Sequence, residues 1–341
     1  MKKRIWFNRW FSTVYHYIKM IKENPDQIEF EIYGTHPNPK SVYFLLCDHS
    51  EQEPVLNVDD YIQYCLEYCR KNKIDIFIPQ FRLTEIMKHE KEFNNIGTQL
   101  LGPPSYLVEQ ISDKGKLFKR CEKDAFAPLP AYEVVNNVHD FVNAYQNIKK
   151  LGYQVCFKPC NGIGGAGFRI LTEERVTLEG LIGYVSNQIS IHDVTDILAG
   201  HETFDDLMVM EYLSGNEYSI DCLAYDGELL AAVPRKKEFG RIRMLEGKQE
   251  LLEIAKKVND TFKIPYIYNI QIRYNQGSPK LLEINPRMSG GLHISCFSGI
   301  NFPYLALKLL LTGKAEVPKP IFDIEATHIE YPLEFNRKID L

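Results

Sequence analysis

The sequence predicts a mixed architecture, α/β at its N-terminal end and α+β beyond. Three observations carry this expectation. The first hundred residues alternate short apolar strands with helical segments, the later half carries antiparallel hairpin signals, and 341 residues suit two or three domains. Hydrophobic residues make up 45% and charged residues 25% of the chain, the balance of an ordinary globular protein. A formal net charge of −5 leaves no basic excess to track a nucleic-acid backbone. No apolar run approaches the roughly 20 residues of a membrane span. The basic start Met1-Lys2-Lys3-Arg4 runs into Asn8, Arg9 and His16, so no signal-peptide core is expected. Of the eight cysteines, Cys65/Cys69 and Cys156/Cys160 are spaced by four. Neither pair continues into a second ligand pair, so all eight read as reduced thiols of a cytoplasmic protein.

The elements follow in order. Arg4 to Phe7 reads as a strand, and Ser12 as the cap of a helix from Thr13 to Lys22. Phe30 to Tyr33 and Val42 to Leu46 are apolar β-favouring runs around the turn-rich Gly34 to Pro39. Asp59 and Asp60 introduce a helix through Lys71, and a strand from Ile74 to Ile78 stops at Pro79. This βαβ rhythm predicts a small parallel sheet; it carries no G-x-G-x-x-G, so dinucleotide binding lacks support. Gly102-Pro103-Pro104 closes a first segment, 1–104. The second, 105–206, reads as a helix from Ser105 to Glu122, a Pro-containing link at Pro128-Leu129-Pro130 and a helix from Asn137 to Leu151. A strand from Gln154 to Lys158, a glycine loop and a returning strand from Phe168 to Leu171 follow. The third, 207–341, opens with a strand from Leu207 to Glu211. Glu217 to Ala224 and Glu228 to Val233 flank Tyr225-Asp226-Gly227, a hairpin signal. A helix from Gly247 to Phe262 precedes strands Tyr268 to Tyr274 and Lys280 to Asn285, which flank a turn with Gly277 and Pro279. A helix from Ile300 to Thr312 ends at Gly313.

The densest chemistry lies in Leu281-Leu282-Glu283-Ile284-Asn285-Pro286-Arg287. On a strand, Glu283, Asn285 and Arg287 would share one face while Leu282 and Ile284 turn to a core. A carboxylate and an amide oxygen suit a hard cation such as Mg²⁺. An arginine beside them suits an anion that the cation also touches. The hairpin would bring Gln271 beside Glu283 or Asn285. A merely solvated hairpin face is the alternative, which Asn285-Pro286-Arg287 and the following Gly290 and Gly291 disfavour. Lys158 precedes Gly162, Gly164, Gly165 and Gly167, whose unhindered backbone N–H groups suit phosphates. The loop has no G-K-[ST] ending, so it is not a Walker loop, and a ligand-free glycine turn is an equal reading. Met210-Glu211-Tyr212-Leu213 could offer backbone groups to an adenine edge and Glu217 an acceptor to ribose. Taken singly, these residues, Lys114 and Arg235 read as solvated. Arg235-Lys236-Lys237 with Arg241 and Arg243 suit an acidic substrate or phosphates, or a solvated face. His293 and Cys296 lie three apart with no partner acid in view, so pocket lining or packing is preferred over a nucleophile pair. Trp6, Phe7, Trp10 and Phe11 read as core or pocket wall.

Taken in order, Asp113-Lys114, Lys158 with its glycine loop, Glu211 through Glu217, Gln271 and Glu283-Ile284-Asn285-Pro286-Arg287 resemble the ATP-grasp superfamily. The likeness runs from about Asp113 onward, and the first hundred residues resemble the α/β domain that precedes it. Asn269-Ile270-Gln271, Asn285 to Ser289 and Ser298 to Pro303 are similar to the synthetase unit of the carbamoyl phosphate synthase large subunit. The chain also resembles stand-alone ATP-grasp proteins of tellurite-resistance-type operons. The resemblance implies a pre-ATP-grasp α/β domain at 1–104, a lobe with a glycine-rich lid at 105–206 and a lobe with the metal site at 207–341. It implies that Lys114, Lys158, Gly162, Gly164, Gly165 and Gly167 hold phosphates. Glu211, Tyr212 and Leu213 would contact adenine, and Glu217 the ribose. Gln271, Glu283 and Asn285 would carry Mg²⁺ or Mn²⁺, Arg287 would act on the transferring γ-phosphoryl, and Arg235 and His293 would face the substrate. The expected activity is Mg-ATP-dependent ligation of a carboxylate to an amine or other nucleophile through an acyl phosphate, forming ADP and phosphate. An ATP-grasp kinase and a non-catalytic ATP-binding regulatory module are the alternatives. A single synthetase unit, with no glutaminase or allosteric domain in view, argues against carbamoyl phosphate synthesis itself. The expected partners are small molecules, with neither nucleic acid nor membrane, and a homodimer is open to the chain.

Overall fold

The computed structural model describes residues 2–162, 165–175, 177, 182, 186–330 and 332–335. The chain divides into two compact units, one of residues 1–110, 217–271 and 284–341, the other of 111–216 and 272–283.

The first unit begins with β1 (Lys3–Asn8), α1 (Val14–Lys22), β2 (Phe30–His36), β3 (His49–Gln52), α2 (Val58–Asn72), β4 (Ile76–Ile78), α3 (Leu83–Lys88), α4 (Glu90–Asn95) and β5 (Gln99–Leu100). The strands form a parallel sheet in the order β3-β2-β1-β4-β5. A parallel sheet is covered on both faces, and β1 shows it. Ile5 and Phe7 join one apolar core with Trp10, Val14 and Ile18. Trp6 joins the other, stacked on Phe77 at 4.0 Å. Asn57 caps α2 by accepting the Asp60 N–H.

Two expectations fail here. Thr13, not Ser12, precedes α1, and it makes no side-chain cap bond. Val42–Leu46 is a 3₁₀ turn rather than a strand. Tyr43 is buried and its hydroxyl donates to the Thr35 carbonyl at 2.7 Å. Packing of that ring against Gly34, where a Cβ would lie 2.9 Å from it, overrides the β-favouring composition. The strand of this region is the exposed, polar His49–Gln52 instead.

α5 (Ser105–Ser112) carries the chain into the second unit. There follow α6 (Lys114–Asp124), β6 (Tyr132–Val135), α7 (Val138–Lys150), β7 (Val155–Pro159), β8 (Arg169–Thr172), β9 (Gln188–Ser190), α8 (Ile191–Leu198) and β10 (Leu207–Glu211). The single helix expected from Ser105 to Glu122 is broken at Asp113. This residue is extended, and its carboxylate accepts the Lys116 N–H at 3.0 Å as a new N-cap. The sheet order is β6-β10-β7-β8-β9. It is antiparallel except for β8 with β9. Phe141, Ala144, Val155 and Val209 belong to its core.

The first unit resumes with β11 (Glu217–Tyr225) and β12 (Glu228–Lys237), then β13 (Arg243–Leu245), α9 (Gln249–Phe262), β14 (Tyr266–Asn275), β15 (Ser278–Asn285), α10 (Leu292–Ser295), α11 (Phe302–Thr312) and β16 (Ile324–Ala326). Asp226 and Gly227 both have positive φ, 49° and 80°, which makes the β11–β12 connection the two-residue I′ turn that Asp-Gly favours. The sheet order is β15-β14-β11-β12-β13-β16. Of β14 and β15, only Tyr266–Gln271 and Ile284–Asn285 belong to this unit.

The strict alternation expected in β15 does not hold. Leu281 and Ile284 are buried, whereas Leu282 is half-buried. The Leu281 N–H donates to the Pro128 carbonyl at 2.9 Å and Lys280 reaches the Leu129 carbonyl, so that link covers Leu281. Arg287 lies past the strand, in a bend where its N–H donates to the Asn285 carbonyl at 2.9 Å. Side-chain alternation therefore does not extend to it. All eight cysteines are free thiols. Among the described residues no single helix is long and apolar enough to cross a membrane.

Candidate functional site

In the second unit, Lys158 stands in β7 opposite Met208 of β10. Its ammonium donates to the Leu282 carbonyl at 3.2 Å and lies 5.9 Å from the Phe118 ring centroid. Burial, helped by the nearby Lys114 cation, pushes its pKa down to about 8. Lys114 opens α6 directly after the Asp113 cap, which is what the break in the expected helix achieves. It is buried, donates to the Gly162 carbonyl at 2.7 Å and pairs with Glu283 at 3.4 Å. Lys114 thus pairs with Glu283, whose field Lys158 also feels. The surplus positive charge suits a polyanion.

The glycine turn lies beside these lysines. Gly167 has φ +75°, and a Cβ there would come within 2.8 Å of the Pro159 ring, so no other residue fits without displacement. Gly165 also has positive φ, +78°. Gly164 lies outside the described residues.

Glu211 is 1% exposed. Its carboxylate accepts the Ala131 N–H at 2.8 Å and the Asn275 amide at 3.1 Å, so it is engaged within the unit. The Tyr212 N–H donates to the Gln154 carbonyl at 2.7 Å. The Tyr212 ring neighbours Phe168 and the Arg273 guanidinium, and Leu213 is buried.

In the first unit, Gln271 and Asn285 are half-buried. Glu217 pairs with Lys237 at 3.6 Å. The Arg287 guanidinium donates to the Met288 carbonyl at 2.9 Å and lies 5.8 Å from the Phe11 ring. The three residues expected to carry a metal are therefore divided. Gln271 and Asn285 belong to the first unit and Glu283 to the second. Among the described residues no three His, Cys, Asp or Glu side chains group to hold a metal. Taken singly, each of the three side chains offers an oxygen of the kind that a cation such as magnesium takes.

Sequence reasoning listed Arg235 and His293 but missed what surrounds them. Arg235 is 7% exposed; its Nε donates to the Ser295 hydroxyl at 3.1 Å and its Nη2 to Asp221 and Ser289, both at 3.3 Å. Asp221 is fully buried and also accepts from Asn269 at 2.8 Å and Ser295 at 2.6 Å. Asn269 therefore serves this network. A signal was available: an aspartate between Ile220 and Cys222 interrupts a strand otherwise apolar through Ala224, and a buried carboxylate requires partners. Gly291 packs on the guanidinium so closely that a Cβ would lie 2.4 Å from Nη1.

His293 stacks on His16 with ring centroids 4.5 Å apart. Burial, then the fields of His16 and Arg235, push its pKa down to about 3. Burial raises the Cys296 thiol to about 12, which argues against a thiolate nucleophile. Trp6, Phe7 and Trp10 are core residues.

A family model described as ATP-grasp in the biosynthetic pathway with Ter operon matches residues 203–332. The carbamoyl phosphate synthase large chain of Clostridium botulinum is 25% identical over 315 residues, covering 88% of this chain and 27% of that protein. The chain thus spans about a quarter of the length of such curated relatives. Among solved structures, the biotin carboxylase domain of Hydrogenobacter thermophilus 2-oxoglutarate carboxylase superposes with a TM-score of 0.67 at 15% identity, over 95% of this chain and 73% of that one. The L-amino acid ligase of Bacillus licheniformis gives 0.62 at 14% identity, over 91% and 74%. The two units and three sheets described above are thus an ATP-grasp fold, and the chain resembles the synthetase unit of the carbamoyl phosphate synthase large chain.

Proposed function

We propose that the protein is an Mg-ATP-dependent ligase that activates a carboxylate as an acyl phosphate and passes it to an amine or related nucleophile. The observation that carries this reading is the Lys114–Glu283–Lys158 cluster beneath the glycine turn. Its surplus positive charge is partly desolvated, so it attracts phosphate oxygens strongly. The relatives support the chemistry. The Hydrogenobacter domain was solved with Mg-ADP and bicarbonate, and the Bacillus relative is an amino acid ligase by name.

On this reading Lys158 and Lys114 hold the phosphates, and the glycine turn adds backbone N–H groups. Gln271, Glu283 and Asn285 would offer oxygens to magnesium, which would supply charge neutralisation of the polyphosphate. Glu211 to Leu213 face the adenine and Glu217 the ribose. Arg287 stabilises the γ-phosphoryl as its charge shifts, so its contribution belongs to the transition state. The carboxylate oxygen attacks the γ-phosphorus, ADP leaves, and the nucleophile then displaces phosphate from the acyl carbon.

The test is an ADP-release screen of paired amino acids and small carboxylates with Mg-ATP. Substrate-stimulated ADP and phosphate are expected; AMP and pyrophosphate would exclude the route. Arg287→Ala should abolish turnover while keeping most nucleotide affinity.

A further inference from the structure

The first unit holds a cavity of about 610 Å³, within the range of small-molecule sites. Its polar wall is Arg235, Arg243, His16, His293 and His328 with Thr13 and Thr327, and among the described residues no Asp or Glu lines it. Met20, Ile294, Phe297 and Ile329 form its apolar wall.

The charge count is specific. Arg235 is offset by the buried Asp221. Among the described residues the Arg243 guanidinium donates to carbonyls, those of Gly240 and Ile242. Glu217, an acid whose field acts on Arg243, is itself paired with Lys237. Among the two arginines and Asp221 one positive charge remains, which a monoanion balances and a dianion overshoots. His293 adds a second sign of a ligand. Its Nδ1 is buried and has no hydrogen-bond partner among the described residues, an arrangement that ordinarily needs an explanation. Burial and the surrounding cations hold His16 and His293 towards their neutral forms.

We propose that this cavity binds the acid substrate, and that the acid is an organic monocarboxylate with an apolar or aromatic body. Its carboxylate meets the Arg235–Arg243 side, and its body lies between the stacked imidazoles and Phe297. An inorganic anion such as bicarbonate would leave the apolar wall wet. This inference rests on the ligase reading for its role in turnover, but not for binding.

The test is calorimetric titration of the nucleotide-free protein with monocarboxylates of about four to nine carbons, their primary amides, acetate and bicarbonate. At least one longer carboxylate should bind about tenfold or more tightly than its amide and than acetate. Arg243→Gln should weaken it by a similar factor. Gly290 lines the cavity and a Cβ there meets nothing within 4 Å, so Gly290→Leu should narrow the cavity and weaken binding at an unchanged melting temperature. If no carboxylate outbinds its amide, or a folded Gly290→Leu retains full affinity, the proposal is wrong. The titration needs no ATP. Failure here leaves ADP formation untouched, and failure to form ADP leaves carboxylate affinity standing.

Discussion

Lys158 is held at the expense of the fold, and this can be measured. Its pKa falls from an ordinary 10.5 to about 8. That difference corresponds to about 3 kcal/mol of destabilisation at pH 7, where the residue is charged in both folded and unfolded chains. Lys158→Met removes the buried charge but loses the bond to the Leu282 carbonyl, worth about 1 kcal/mol. The expected net gain is about 2 kcal/mol. The pH dependence gives an independent signature. Between about 8 and 10.5 the unfolded chain holds a proton that folded Lys158 has released, so parent stability rises with pH across that window. The variant should lack this contribution. Urea midpoints of both proteins at pH 7 and 9.5, without nucleotide, read the difference. A variant less stable than the parent at pH 7, with the gap unchanged at the higher pH, would refute the reasoning.

Three further outcomes follow from the first unit. His293 is protonated near pH 3 when folded, against 6.5 as its ordinary value. Acidification therefore favours the unfolded chain, by about 2 kcal/mol at pH 5. His293→Phe keeps a ring against His16 and should flatten that slope in urea midpoints. Asp221→Asn leaves the buried Arg235 without its carboxylate and should destabilise by about 3–5 kcal/mol in urea denaturation. Gly291→Ala forces a Cβ into the Arg235 guanidinium and should cost about 1–3 kcal/mol; Gly290→Ala should stay within about 0.5 kcal/mol.

Local signals were legible where backbone chemistry decides. Leu207–Glu211 forms over the residues read as a strand, and Asp226-Gly227 turns as its residue types require. They were illegible where distant packing decides. Val42 to Leu46 has a strand's composition but yields to Tyr43 seated against Gly34. Asp113 reads as interior to a helix because nothing in its neighbours announces a break; the cap it forms aims Lys114 at Gly162 and Glu283.

The same holds for the candidate site. Lys158, Lys114 and Glu283 were readable as charged residues in suggestive positions, and their clustering needed the fold. Arg243 was readable only as one member of a basic segment that suits an acidic substrate or a solvated face, and His16 and His328 carried no motif at all. The three come from β13, α1 and the segment after β16, and only tertiary structure brings them to one cavity. Arg235 was readable as a basic residue, but its immersion beside Asp221 was not, because the strands β11 and β12 that pair Ser219 with Arg235 are set by register.

On the proposed function, the lysine cluster of the second unit grips a magnesium-bound polyphosphate. Calorimetric titration of the parent and Lys158→Met proteins with a non-hydrolysable ATP analogue, with and without Mg²⁺, tests it most directly. The account predicts magnesium-dependent binding by the parent and a loss of about tenfold or more in a variant that is the more stable of the two. Equal affinity in both proteins, or none in the parent, would contradict it.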